Sequence, residues 1–397
     1  MGKRALVFGA SGVTGWSFVN ELLHDYPKQG AWDGVVALTN MPLRHEDSLW
    51  PEDSRLQIVS GINLLDSQPE VEYVLRNKVD DIDKITHVYY LAYKASTDIV
   101  QKLQDAIAML EHAITAIDRL SSVLEFVVLQ TGAKMYGCHI LKDHPTTYIH
   151  VPLSEDQPRL KQPYHDMLFY HSQLDWLGEY AKDKSWSWCE TRPDIIIGFV
   201  PNQNAYSLAR SLAVFLSIYA AVHGKGAEVS FPGTMKSWEA KSNDSSADII
   251  ARQTIHLSLY MPSSQKGEAF NVADSKPWST WRQKWPVIAS YFGLKGVAPQ
   301  HDTVDALEVR QYICDKLQIW KELELKHGLK PGMANSDLTF PGFEYFLLYQ
   351  FDFDRQYDMT KMYSTPPDKP FTEERSTSEA WHGAFDRMRE AKLIPRA

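Results

Sequence analysis

Cysteine is scarce in this chain: Cys138, Cys189 and Cys314 are the only three among 397 residues. Three scattered thiols exclude a disulfide framework and offer no zinc-ligand spacing, so no metal site is expected. A reducing compartment, the cytoplasm, is the expected setting. Positive charge is in deficit, with 41 Lys and Arg against 50 Asp and Glu and a formal net charge of −9. That balance argues against a polyanion-binding surface and excludes nucleic acid from the expected partners. Long apolar runs are missing as well. Beyond the N-terminal strand the longest is Leu212 to Val222, too short to span a bilayer. The first apolar run ends in glycines and does not read as a signal peptide. There is no internal repeat and no low-complexity tract. What remains is enough chain for one large or two ordinary domains, with 44% hydrophobic residues to fill a core. Aromatics are plentiful at 12 Trp, 19 Tyr and 16 Phe. Most belong to the core, but so many rings also suit a pocket for a flat apolar ligand.

The chain is organised around its first fifteen residues. Ala5-Leu6-Val7-Phe8 reads as a strand buried on both faces. It breaks at Gly9-Ala10-Ser11-Gly12-Val13-Thr14-Gly15 and passes into a helical pattern. In such a strand–turn–helix, Gly9 allows the tight turn, Gly12 admits a pyrophosphate, and Gly15 lets the helix pack on the strand. The helix N-terminus, with Ser11, Val13 and Thr14 around it, then faces the phosphates. Further buried strands are expected at Gly34–Thr39, Leu56–Asn63, Ile85–Ala92, Phe126–Thr131 and from Trp188 through Arg192. Helices are expected around Val71–Val79 and, from the 3.6-residue spacing of Leu103, Ile107, Leu110, Ile114 and Ile117, over Thr97–Ser121. Alternation of this kind predicts an α/β fold, a doubly wound parallel Rossmann sheet, over residues 1–200. From 201 to 397 the rhythm becomes mainly helical, with apolar helices at Leu208–His223 and Ala247–Leu259 and an amphipathic one at Ser378–Ala391. Phe270-Asn271-Val272 is expected to return a strand to the sheet, and Trp278, Trp281 and Trp285 to face the core. This second half reads as a substrate lobe, with Leu208–His223 expected beside the ligand.

The second strand lacks an acidic residue at its end, which weighs against strict NAD use. Thr39 and Asn40 stand there, with Arg44 downstream to reach a 2′-phosphate, and Asn63 ends the third strand near the adenine position. The Tyr-x-x-x-Lys arrangement of short-chain reductases is also missing: Tyr170 is followed by His171-Ser172-Gln173-Leu174. Instead Gln130-Thr131-Gly132-Ala133-Lys134-Met135-Tyr136-Gly137 follows the fifth strand, Phe169-Tyr170 opens a helix, and Arg192-Pro193-Asp194-Ile195 ends the sixth. At these residues the chain resembles the plant progesterone 5β-reductase and iridoid synthase (PRISE) family and its fungal relatives, atypical extended short-chain reductases. Further echoes are Thr86-His87-Val88-Tyr89-Tyr90, Ser154-Glu155-Asp156-Gln157-Pro158-Arg159-Leu160, Ser246-Ala247-Asp248, Glu268-Ala269-Phe270-Asn271-Val272 and Lys392-Leu393-Ile394-Pro395.

The resemblance implies NADP(H) as cofactor, reduction of the C=C bond of an enone or enal in secondary metabolism, and an apolar carbonyl-containing substrate. It implies Tyr170 as holder of the developing oxyanion and Lys134 as its cationic neighbour and ribose ligand. Leu91, Thr131, Pro193 and Ile195 would then lie on the cofactor, and Tyr93, Met135 and His171 on the substrate side. A homodimer is among the expected assemblies. Two departures stand out: arginines that plant members carry at the second strand end are replaced by Thr39-Asn40-Met41, and the aromatic after the tyrosine is His171. Plain readings compete at each position. Tyr170 is also a reasonable boundary aromatic, Lys134 a solvated loop lysine, and His165 and His171 packed or surface histidines. Direct carbonyl reduction uses the same groups, and a redox-neutral cyclisation, isomerisation or dinucleotide-binding role uses the same fold.

Overall fold

The computed structural model describes residues 2–141, 148–201, 206–300, 308–334 and 342–396. Its centre is a sheet of seven strands: β1 (Lys3–Phe8), β2 (Trp32–Thr39), β3 (Leu56–Ser60), β4 (His87–Tyr90), β5 (Phe126–Gln130), β6 (Ser187–Pro193) and β7 (Ala269–Val272). They lie in the order β7-β6-β5-β4-β1-β2-β3, and every pairing is parallel. The strands are apolar on both faces because both are covered. Ala5, Val7, Val35, Ala37, Tyr89, Val128 and Cys189 point into one hydrophobic layer; Leu6, Phe8, Val36, Leu38, Val88, Tyr90, Val127 and Leu129 point into the other. Helices Val13–Leu23 and Ala247–Tyr260 close the first layer; Gln68–Lys78, Ile99–Leu120 and Phe169–Tyr180 close the second. The strand order reverses between β1 and β4, and the crevice at their carboxyl ends is where such sheets take ligands.

The expected return of Phe270–Val272 is observed: Ala269–Val272 pairs with Glu190–Pro193 at the sheet edge. A second link joins the halves where Ile196–Ile197 pairs with Ser245–Ser246. Two expectations need correction. The helix Leu208–His223 forms as expected but is buried all round from Leu208 to Ile218, within the same layer as helix Thr377–Glu390. None of its residues reaches the ligand crevice, because a helix apolar on every side has no face left for a solvent-filled cleft. Trp281 and Trp285 are core residues, whereas Trp278 is 46% exposed beneath Lys241. Trp278 precedes Thr280, the cap of helix Trp281–Ser290, so helical spacing does not govern where it points. No described helix is long and apolar enough to cross a membrane.

Candidate active site

β1 ends in a turn that is sterically closed to larger side chains at two of its three glycines. Gly9 has φ of +78°, and a Cβ there would lie 2.7 Å from Leu91 O. A Cβ on Gly15 would lie 2.1 Å from Gly9 O, so the helix rests directly on the turn. Gly12 differs. Its only close neighbour is Gly9 O at 3.1 Å, and its remaining side is open to a groove of about 580 Å³. Gly12 also caps helix Val13–Leu23 without a side-chain hydrogen bond, leaving first-turn N–H groups for an anion. An open approach at Gly12 and an uncapped helix end are what a dinucleotide pyrophosphate requires, and the residues fit that group.

Gly9, Ser11, Gly12, Val13 and Thr14 line this groove, together with Thr39, Asn40, Asn63, Leu91, Thr131 and Lys134. At the end of the groove lined by Thr39 and Asn63 much polar capacity is already committed. Thr39 Oγ1 lies 2.7 Å from Met41 O and 2.9 Å from Ser60 Oγ. Asn63 donates to Asp66 Oδ1 at 2.6 Å and accepts from Leu65 N at 3.2 Å. Arg44 lies outside the groove. Its side chain is 71% exposed and bonds Asp47 at 2.6 Å within the short helix His45–Ser48, one turn being the shortest reach.

A second cavity, about 610 Å³, adjoins the groove. Val13, Tyr93, Thr131, Lys134, Tyr170, Ile196 and Tyr206 line both, so Lys134 and Tyr170 stand at the junction. Pro193 and Ile195 line the second cavity. Lys134 sits on the turn Ala133–Tyr136 that follows β5; Tyr170 sits in the first turn of helix Phe169–Tyr180. A Cβ on Gly132 would be 3.2 Å from Pro193 O and 3.9 Å from Tyr170 Oη, which places the phenol over that turn. Tyr93 is a wall residue as expected, stacked on Phe169 at 5.7 Å and edge-on to Tyr206 at 5.6 Å. Tyr206 in turn meets Phe343 at 5.4 Å.

Met135 and His171, expected on the substrate side, turn away from it. On a tight helical turn successive side chains point about 120° apart, so Lys134 faces the cleft while Met135 enters the core layer. Likewise the residue after Tyr170 rotates into the protein. His171 is fully buried, stacked on His165 at 4.4 Å, and neither ring nitrogen has a partner. The place expected for Leu208–His223 is taken by Phe343, Phe346, Leu347, Gln350 and Phe351, from a segment that includes the π-helical turn Phe346–Gln350. Arg355 fastens it: the guanidinium lies 4.3 Å from the Phe351 ring centroid and 3.0 Å from Asp194 Oδ2. The aromatic density of residues 343–351 is the sequence signal that marks this wall. Lys102 and His139 also line the cavity, and no motif announces either.

Electrostatics at the junction follow from the protein packed around the cleft, although the Lys134 side chain itself is exposed to it. Desolvation, and then the nearby Lys102 ammonium, lower Lys134 to about 8. Desolvation, followed by Lys134 and Lys102, lowers His139 to about 4. Burial raises Tyr170, with smaller contributions from Tyr93 and Glu190, so it keeps its proton and donates. Beneath Lys134 a buried polar chain fixes the loop. Thr131 Oγ1 donates to Glu190, whose carboxylate holds Arg192 at 2.8 and 2.9 Å. Arg192 Nη1 reaches Tyr136 Oη at 3.2 Å, and Tyr136 donates to Asn271 Oδ1 at 2.7 Å. This ties β5, the Lys134 turn, β6 and β7 together, so the turn cannot shift without breaking buried hydrogen bonds.

Comparison with known proteins agrees with this geometry. The PRISE-like Rossmann-fold domain model matches residues 5–395. A short chain dehydrogenase, sirQ of Leptosphaeria maculans, is 35% identical over 395 residues, 98% of this chain and 97% of its own. An (S)-8-oxocitronellyl enol synthase of Nepeta racemosa, ISY2, is 29% identical over 82% of this chain and 76% of its own. Among solved structures, Pseudomonas aeruginosa RMD complexed with NADPH is similar in fold, with a TM-score of 0.59 at 11% identity, covering 98% of both chains. Bordetella bronchiseptica WbmH in complex with NAD+ is similar too, with a TM-score of 0.57 at 15% identity, covering 98% of this chain and 99% of that one. The glycine turn, the junction of groove and cavity, and these matches place the chain in the PRISE-like Rossmann-fold domain family, as an enzyme of the short-chain dehydrogenase/reductase kind.

Proposed function

We propose that the protein is an NADPH-dependent reductase of the C=C bond of an enone or enal, acting on an apolar small molecule. One observation carries the reading: Lys134 and Tyr170 line both the dinucleotide groove and an aromatic-walled cavity. Residues 1–200 are taken as the dinucleotide-binding half and 201–397 as the substrate half. Gly12 and the N-terminus of helix Val13–Leu23 would hold the pyrophosphate, Asn40 and Asn63 the adenosine end, and Pro193 and Ile195 the nicotinamide face. When bound, the nicotinamide supplies hydride to the substrate β-carbon, and negative charge collects on the carbonyl oxygen. Tyr170, kept protonated by burial, donates its hydrogen bond to that oxygen. Lys134 holds positive charge beside it and contacts the ribose. Phe343, Phe346 and Phe351 exclude water and press the substrate against the junction. A relative whose name is enol synthase supports an enol or enolate product at such a site. Preference for NADPH over NADH is modest in this reading, because Thr39, Asn40 and Met41 line the strand end while Arg44 is bound to Asp47.

The test is product analysis after NADPH consumption with a panel of enones. A saturated ketone is the expected product. An allylic alcohol would replace this reading with direct carbonyl reduction, and a rearranged product without NADPH consumption would replace it with redox-neutral chemistry.

A further inference from the structure

Among the described residues, the lysines that line the substrate cavity have no acidic partner. Lys102 and Lys134 both line it, and neither forms an ion pair among the described residues. Other cations near buried or half-buried carboxylates are paired: Lys94 has Asp105 at 2.7 Å, Lys284 has Asp244 at 2.7 Å, and Arg192 has Glu190 at 2.8 Å. Among the described residues the one carboxylate on the cavity wall, Asp194, is held by Arg355. Lys102 lies in the first turn of the 22-residue helix Ile99–Leu120, whose N-cap Asp98 spends its carboxylate on Gln101 N at 3.1 Å. His139 shares the wall, and its Nδ1 is buried without a partner. In a chain with net charge −9, this is a pocket built against the overall balance.

We propose that Lys102, with His139 beside it, forms an acid-recognising pole of the substrate cavity, and that the substrate is an apolar enone carrying a carboxylate. Lys102 lines the second cavity and not the dinucleotide groove, so its charge serves the substrate and not the pyrophosphate. Lys134 remains the cation at the reacting oxygen, and the aromatic wall takes the apolar body. The carboxylate thus fixes which end of the molecule enters first. The enone part of this statement rests on the function proposed above; the acid pole does not.

The experiment uses 3-benzoylpropionate and its methyl ester, which have no C=C bond to reduce. Each is titrated by calorimetry into the NADP+-loaded protein. A charge-assisted contact in an enclosed site is worth about tenfold or more in affinity, so the acid should bind at least about tenfold tighter than the ester. In K102Q that ratio should collapse towards one, while K102R should retain most of it. Acid binding no tighter than the ester, or a ratio that survives in K102Q, overturns the proposal. So does a loss of NADP+ affinity in K102Q as large as the loss of acid affinity, since Lys102 would then serve the dinucleotide. In a parallel arm the unsaturated 3-benzoylacrylate is supplied with NADPH. Acid preference in binding without reduction of that enone upholds the acid pole and overturns the reductase reading.

Discussion

The two glycines that flank the helix start do different work, and substitution separates them. At Gly15 a methyl group would sit 2.1 Å from Gly9 O and 2.8 Å from Ala10 Cα, both backbone atoms. An ordinary carbon–oxygen contact needs roughly 3.2 Å or more, so the helix must retreat by about 1 Å. That helix buries Trp16, Phe18, Val19 and Leu22, and Trp16 Nε1 donates to Ser48 O at 2.6 Å. Overpacking at such a contact costs about 1–3 kcal/mol. Gly15→Ala should therefore lower the urea midpoint and weaken dinucleotide binding together, because the displaced helix also moves its N–H groups. At Gly12 the single 3.1 Å neighbour leaves room for a small adjustment, and the new side chain would project into the groove. Gly12→Val should unfold at nearly the parent urea concentration while losing NADPH affinity. Losing charge-assisted N–H contacts to a pyrophosphate, at about 1.5–3 kcal/mol, predicts a loss of roughly ten- to 150-fold. Urea denaturation and calorimetric titration with NADPH measure both quantities. Parent affinity in Gly12→Val would refute the pyrophosphate reading of the groove; parent stability in Gly15→Ala would refute the packing argument.

Tyr170→Phe should retain dinucleotide binding and lose on the order of 10²–10³ in turnover on a simple ketone. The loss should be smaller on an enone, whose delocalised charge depends less on one donor; equal full activity on both would place the oxyanion donor elsewhere. Because enclosure lowers Lys134 to about 8, its cation is lost as pH rises through that value. Hence kcat/KM should fall above about pH 8, and Lys134→Arg should move the fall upward; a pH profile identical in the variant counts against the assignment. Asp274 is raised to about 8 by burial, against hydrogen bonds from Ser246 that favour its charge. The folded state holds a proton that the unfolded chain releases near 3.8, so this group removes stability as pH climbs between the two values. Asp274→Asn should flatten that part of the stability–pH curve, measured as urea midpoints from pH 4 to 9, and an unchanged slope would contradict it.

The parallel sheet and its glycine turn were legible because each of their determinants is local. Ala5–Phe8, Val35–Leu38 and Val127–Leu129 are short apolar runs whose neighbours alternate between two buried layers, and a run of that length has few other uses. Gly9 admits a positive φ and Gly15 a backbone contact that any side chain would block, so spacing in sequence translates directly into a turn. Even β7, remote in sequence, was expected as a short strand at Phe270-Asn271-Val272, and it pairs with β6.

What tertiary structure decided is which way side chains face and what covers them. Lys134 and Met135 are adjacent in sequence and similar in length, yet one faces the cleft and the other the core. Tyr170 and His171 divide in the same way. Only the direction in which each tight turn leaves its strand settles such choices. The helix Leu208–His223 looked like a cavity wall for the same property that buries it, its apolar surface, while residues 343–351 won that wall through Arg355 and Asp194, 161 positions apart. Arg44 was within reach of the groove by sequence distance, but Asp47 captured it one turn later. Proximity along the chain sets strands, turns and helix starts; competition among distant partners for the same charge or the same apolar face sets the walls of the site, and that competition has no record in local sequence.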